Sequence, residues 1–183
     1  MLYYVHGYPS TRNSAKGRLF QETINARSIE YHQGQSEDLE IDVCVHNILK
    51  AIQGDSDPML IGSSFGGFLA AEVALELSTV KMLILLNPAI ISPQADISRV
   101  KGIPERILSE MRDDRLFNKK ITANTTILMA TKDEVIPRNW ILDFAMAQEA
   151  TVKFLNDDHV FTSNLAQLPE IIEEILYLRR SVA

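Results

Sequence analysis

Residues 59–71, MLIGSSFGGFLAA, decide how the rest of the chain is read. Three apolar residues (Met59, Leu60, Ile61) run into Gly62, Ser64 stands midway between Gly62 and Gly66, and small and apolar residues follow. The pattern predicts a strand, an abrupt turn and a helix, with a hydroxyl at the apex. A serine on so sharp a turn draws the backbones on either side together, and a Cβ two residues before or after it would collide. Glycine at both places removes the collision. Ser63 does not fit this frame, since its flanks at that spacing are Ile61 and Phe65. Ser64 is therefore the candidate nucleophile, with Gly62 and Gly66 as the residues that permit the turn. The alternative is a plain glycine-rich βα turn in a parallel sheet, which has no need of the hydroxyl.

Working outward, short apolar runs at residues 2–5, 58–61, 81–86, 125–130 and 151–155, and a weaker one at 28–32, read as six strands. Helical patterns lie between them. Residues 13–24 place Ala15, Leu19, Phe20 and Thr23 roughly in line. Ser36 can cap a second helix whose first turn holds Glu37 and Asp38, whose apolar face is Ile41, Cys44, Val45, Ile48 and Ile52, and which Gly54 can end. The helix after the serine carries Gly66, Gly67, Ala70, Ala71 and Ala74, small enough for close packing on a sheet. Another starts at Pro137, and the last has Pro169 and Glu170 at its start and Arg179 and Arg180 at its end.

Strands alternating with helices imply a mostly parallel six-stranded sheet with helices on both faces, which binds ligands at the carboxyl ends of its strands. His6, Ser64, Asn87, Asp133 and His159 all follow predicted strands, so they share one edge. Residues 92–120 are the exception: long for a connection, highly charged, and carrying Ile103, Ile107 and Met111 at helical spacing. One or two short helices are expected there, punctuated by Gly102 and Pro104. The segment is expected to cover the same edge as a cap or lid, with an idle surface excursion as the alternative.

Composition narrows the class. The chain has 183 residues, 46% hydrophobic and 23% charged, which suits one globular domain spanning residues 1–183. A net charge of −6 argues against a nucleic-acid or anionic-membrane binder, which needs a basic face. The single cysteine, Cys44, cannot form an intrachain disulfide, and strand-like sequence begins at Leu2 with no room for a signal peptide. No apolar run is long enough to span a bilayer. A cytoplasmic location is expected.

A serine hydroxyl needs a base to take its proton, and the base needs a third group to fix its tautomer. Ser64, Asp133 and His159 occur in the order Ser…Asp…His used on α/β-hydrolase sheets. His159 is the base, being the only one of four histidines downstream of the acid. His32 and His46 read as surface residues, and His6 as a brace for the loop after the first strand. Asp133 is preferred as the acid over Glu134, Asp157 and Asp158, which then act as electrostatic bystanders. The oxyanion hole is expected to combine the Phe65 amide with one from the loop at residues 6–10. Tyr8 is chosen there, and Pro9 is excluded for want of an N–H. There is no metal-ligand spacing, no phosphate-binding G-x-x-x-x-G-K-[ST] and no dinucleotide fingerprint. No metal and no cofactor are expected.

With HGYPS, GSSFGGFLA, NPAI, TKDE and DDHVFT in place, the chain resembles the small bacterial esterases of the YqiA/YcfP-like group in the α/β-hydrolase superfamily. The resemblance covers nearly the whole length. It implies a reduced α/β-hydrolase fold lacking the first strands, with activity on carboxylic esters and acyl thioesters. Carried over position by position, the nucleophile falls on Ser64, the acid on Asp133 and the base on His159. Two departures stand out: Lys132 precedes the acid where the group has glycine, and Asp157 and Asp158 replace a glycine-containing approach to the histidine. The expected function is a serine hydrolase acting on a small-molecule acyl ester. An acyl-CoA or other thioester hydrolase is the alternative, and a hydrolase-shaped binding protein with vestigial activity is a rival of a different class.

Overall fold

Every strand of the sheet is buried on both faces except at its edges, which is why the strands read as continuous apolar runs rather than alternating ones. The computed structural model describes residues 1–34, 38–97, 100 and 103–180. Its strands are β1 (Leu2–Val5), β2 (Arg27–Ile29), β3 (Met59–Ser63), β4 (Met82–Leu86), β5 (Asn124–Ala130) and β6 (Thr151–Leu155). They lie in the order β2-β1-β3-β4-β5-β6, and each neighbouring pair is parallel. The helices are α1 (Ala15–Ile24), α2 (Ile41–Ile52), α3 (Phe65–Glu76), α4 (Glu105–Glu110), α5 (Arg115–Asn118), α6 (Arg138–Gln148) and α7 (Leu168–Arg180). This is the reduced α/β-hydrolase architecture.

Alternate strand residues feed two cores. Tyr3, Val5, Leu60, Leu83, Leu85, Ile127 and Met129 face α2, α3 and α6, while Tyr4, Ile61, Ile84, Leu86 and Leu128 face Phe20 of α1 and Leu168, Ile172 and Ile175 of α7. The register sets Val5 beside Gly62, Ser63 beside Leu86, Leu86 beside Leu128 and Ala130 beside Leu155. The carboxyl ends of five strands therefore lie along one edge, and the loops leaving them meet there.

Of the expected boundaries that move, three do so for a plain physical reason. The second strand stops at Ile29 instead of reaching His32, because β1, its only partner among the described residues, ends at Val5, which pairs with Ile29. The strand before the serine runs on to Ser63, because β4 offers Leu86 as a partner there. The second helix starts at Ile41, with Glu40 as its cap residue, so Asp38 precedes it; the expected cap Ser36 and its neighbour Glu37 lie outside the described residues. Its apolar face is as expected, and Gly54 follows its end at φ 88°. In α1 the buried pair is Gly17 and Phe20, whereas Ala15 and Thr23 are exposed. A Cβ on Gly17 would stand 2.2 Å from the Arg12 carbonyl oxygen, so that turn is the one seated closest to its surroundings.

The segment between β4 and β5 holds the two short helices expected, α4 and α5. Ile107, Leu108, Met111 and Leu116 are buried in the core shared with α2, α3 and α6. Four of its cations are engaged within the protein: Arg106 donates to the Leu39 carbonyl at 2.8 Å, Arg112 to that of Ala95, and Lys120 to Glu149 at 2.7 Å. Arg115 bridges Glu72 at 2.9 Å and Asp113. Arg99, Lys101 and Gly102 lie outside the described residues.

Glu72, on α3, is almost fully buried, and one of its oxygens, Oε1, has no hydrogen-bond partner. Burial, reinforced by the Asp113 carboxylate and opposed by Arg115, pushes its carboxyl up to about 8. A folded-state value above the ordinary 4.5 means the native protein keeps a proton that the unfolded chain releases. Stability is therefore lost as pH rises between those two values. Glu72→Gln cannot ionise and can still accept from Arg115. Its melting temperature relative to the wild type should climb between about pH 5 and about pH 9, and a pH-independent difference would contradict this.

Candidate active site

The turn after β3 is held from several directions. The Ser64 amide donates to the Leu86 carbonyl of β4 at 2.9 Å, and the Ser64 carbonyl accepts from Gly67 at 2.8 Å and Ala89 at 3.0 Å. Ser64 sits at φ 52°, ψ −120°, a conformation that L-residues avoid. The flanking glycines are obligatory by contact. A Cβ on Gly62 would stand 2.5 Å from the Gly66 carbonyl oxygen, and one on Gly66 would stand 2.2 Å from that of His6.

Ser64, His159 and Asp133 come from three different loops and meet in a hydrogen-bonded line. His159 Nε2 is 3.0 Å from Ser64 Oγ, and His159 Nδ1 is 2.8 Å from Asp133 Oδ2. A carboxylate can only accept, so Nδ1 carries the hydrogen and Nε2 presents its lone pair to the serine hydroxyl. Such an arrangement can move the hydroxyl proton onto the imidazole while the carboxylate steadies the charge that forms. Asp133 is fixed in turn, its Oδ1 accepting from the amides of Val135 at 2.8 Å and Ile136 at 2.9 Å. Glu134 is exposed and takes no part in this line.

Asp157 is a correction to the sequence reading, which takes it for a bystander charge. Its carboxylate is buried and accepts from the amides of Asp158, Ser163 and Asn164 and from the Asn164 side chain, at 2.7–3.0 Å. Burial opposes its ionisation, but these hydrogen bonds win and hold it below the usual carboxylate range. It shapes the loop that carries His159. Asp158 accepts from the Val160 and Thr162 amides in the same loop.

The sequence places Asn87 at the strand edge without giving it a task. The structure shows a bracket. Fully buried at φ 43°, it accepts from the Ala130 amide at 2.7 Å and donates to the His159 carbonyl at 2.9 Å. It thereby ties the end of β5 to the histidine loop. Asn87→Leu keeps the bulk but leaves both groups buried and unpaired. A loss of at least ~2 kcal/mol in stability is expected, read from denaturant melting; an unchanged midpoint would contradict the bracket.

His6 braces the loop after β1. Its ring is stacked on Tyr31 at 4.3 Å, and its Nδ1 donates to the Gly7 carbonyl at 3.1 Å. Burial pushes it below the ordinary imidazole range, with the Gly7 carbonyl and Glu30 opposing. His46 is exposed and His32 half-buried. Gly7 packs on the serine itself: a Cβ there would be 3.3 Å from Ser64 Cβ. The following residue, Tyr8, lines a cavity of about 360 Å³ that opens onto Ser64 and His159. Phe65 opens α3, and its amide, as the first of a helix, has no acceptor within that helix.

The segment at residues 92–120 forms none of that cavity's wall among the described residues. Instead Asp96 and Val100 line a second cavity beside Asp133 and Trp140. Among the described residues, no group of three or more His, Cys, Asp or Glu could hold a metal ion, and no helix is long and apolar enough to cross a membrane.

Sheet order, strained serine turn and strand-end loops together define an α/β-hydrolase fold, and solved structures agree on it. Est1E from Butyrivibrio proteoclasticus, solved with ferulic acid bound, superimposes with a TM-score of 0.76 at 20% identity, over 98% of this chain and 89% of that one. Alpha/beta hydrolase domain-containing protein 10 from mouse gives 0.77 at 17% identity, over 96% and 88%. The Pyrococcus furiosus esterase Pf2001 gives 0.72 at 14%, over 98% and 82%. The chain belongs to the Uncharacterised protein family (UPF0227), which it matches over residues 1–175. No curated protein is similar enough to count as a relative.

Proposed function

We propose that this protein is a serine hydrolase that cleaves small-molecule carboxylic esters through an acyl-enzyme. The observation that carries this reading is the unbroken line from Ser64 Oγ through His159 to Asp133, with contacts of 3.0 and 2.8 Å, opening on a cavity of substrate size. Ser64 Oγ attacks the ester carbonyl as His159 Nε2 takes its proton. The oxyanion that forms is held by the amides of Tyr8 and Phe65, aided by the positive end of α3. His159 returns the proton to the departing alcohol. It then takes a proton from a water whose oxygen attacks the acyl carbon, and passes that proton to Ser64 Oγ as the bond to the acyl group breaks and the acid leaves.

Within the superfamily, the motifs HGYPS, GSSFGGFLA, NPAI, TKDE and DDHVFT support a place among YqiA/YcfP-like esterases. The free, buried Cys44 suits a reducing compartment, and we assign the protein to the cytoplasm on that ground. Residues 92–120 fit a cap that borders the acid's side of the edge, given Asp96 and Val100 beside Asp133.

A panel of chromogenic esters of increasing acyl length, run beside acyl-CoA, tests the reading. Turnover of at least one ester is expected, with hydrolysis confined to acyl-CoA favouring a thioesterase. Absence of turnover across the whole panel would overturn the hydrolase reading in favour of a binding role.

A further inference from the structure

The cavity at Ser64 has a cation in its wall. Lys16, in the first turn of α1, lines it together with Ser10 and Ser14 of the preceding loop and with Val160 and Leu165 from the far side. Nothing in the hydrolysis described above uses this residue. Its Nζ stands over the Phe161 ring, 5.9 Å from the ring centre, and the residue is half-buried. Among the described residues no carboxylate pairs with it. Asp157 and Asp158 are the nearest negative charges by their effect on it, but both are engaged by the amides of their own loop. Burial pushes the ammonium below the usual lysine range, with Asp158 and Asp157 opposing that shift.

The face of the Phe161 ring is a weak partner for a half-buried ammonium beside an apolar pocket, and an anion bound in that pocket would improve on it. Among the described residues the remaining wall holds no second cation, and its polar groups, the Ser10 hydroxyl among them, are neutral or serve the reaction itself. One positive charge in the wall of the cavity that holds the reacting serine matches one negative charge on a molecule bound there. A lone ammonium suits a carboxylate, whereas a phosphate dianion would call for more donors.

We propose that Lys16 selects esters that carry a carboxylate on the acyl or the alcohol portion, by pairing with that carboxylate inside the cavity at Ser64. The inference rests on the ester-hydrolase reading and names the substrate class of the same site. Lys16 is a specificity-determining residue: it binds the substrate away from the ester bond, so its effect falls on KM and on the choice among substrates.

Matched pairs of esters test it. For the acyl side, para-nitrophenyl hemiadipate is compared with para-nitrophenyl hexanoate. For the alcohol side, the butyryl ester of para-hydroxybenzoate is compared with that of its methyl ester. The readout is the ratio of kcat/KM for the charged ester to that for its neutral partner, which cancels differences in the amount of folded enzyme. In the wild type one pair should show a ratio above one, and that pair tells which portion bears the carboxylate. Lys16→Met, which keeps most of the stem's length and removes the charge, should lower the ratio about tenfold or more, chiefly through KM, and Lys16→Arg should restore much of it. Ratios at or below one for both pairs, or a ratio that survives Lys16→Met, would overturn this inference while leaving the hydrolase reading intact. No turnover of any of the four esters would overturn both.

Discussion

Ser64→Ala is expected to lower kcat/KM for ester hydrolysis by a factor on the order of 10⁴ or more, the scale seen when a serine nucleophile is removed from a working triad. The fold should persist, because alanine keeps the Cβ and the backbone bonds of Ser64 to Leu86, Gly67 and Ala89 do not involve the hydroxyl. Ser63→Ala should be far milder, since Ser63 ends β3 and lies outside the line to His159. The backbone offers an internal check. At an ordinary position glycine is less stable than alanine by ~0.5–1 kcal/mol. At φ 52°, ψ −120° that order should vanish or reverse, so Ser64→Gly should melt no lower than Ser64→Ala. Residual activity within a few-fold of wild type in the folded Ser64→Ala protein would remove Ser64 from the mechanism.

Asp133→Asn is the second large effect, on the order of 10⁴ in kcat. The asparagine Oδ1 can still accept from Val135 and Ile136, so the loop should keep its shape. Its other atom becomes an N–H₂ group facing His159 Nδ1 at 2.8 Å, where two donors cannot meet. The ring must then place its hydrogen on Nε2, toward Ser64, and the base is lost. Glu134→Gln alters an exposed charge only, and should stay within about tenfold. Asp157→Asn belongs with neither. Replacing one accepting oxygen among four incoming N–H donors should lower the melting temperature and loosen the loop of His159, so lost activity there should track lost stability. A folded Asp133→Asn protein with mild loss, beside severe loss in Glu134→Gln, would move the acid to Glu134.

What the sequence makes legible follows from where the physics is local. Buried parallel strands are runs such as Met82–Leu86, apolar because both faces are covered, and the glycines around Ser64 are dictated by contacts within a few residues. The line Ser64–His159–Asp133 is also legible, since the order of strand ends fixes which loops meet. The lengths of β2 and β3 depend on a neighbour's register, which no local pattern encodes. The duties of Asn87 and Asp157 depend on which amides fold back to them: Ala130 and the His159 loop for one, Ser163 and Asn164 for the other. An Asn before a proline and a pair of aspartates give no hint of that. Lys16 is hidden for the same reason: only tertiary packing brings α1 beside the loop after β6.

A fluorophosphonate tests whether the fold activates one hydroxyl, that of Ser64, without any knowledge of the natural substrate. Intact mass after treatment, followed by peptide mapping, should show a single adduct on Ser64 in the wild type. Ser64→Ala should show none, and Asp133→Asn should react far more slowly. A wild-type protein that stays unmodified under conditions that fully label a known serine esterase, or an adduct that persists in Ser64→Ala, would contradict the account.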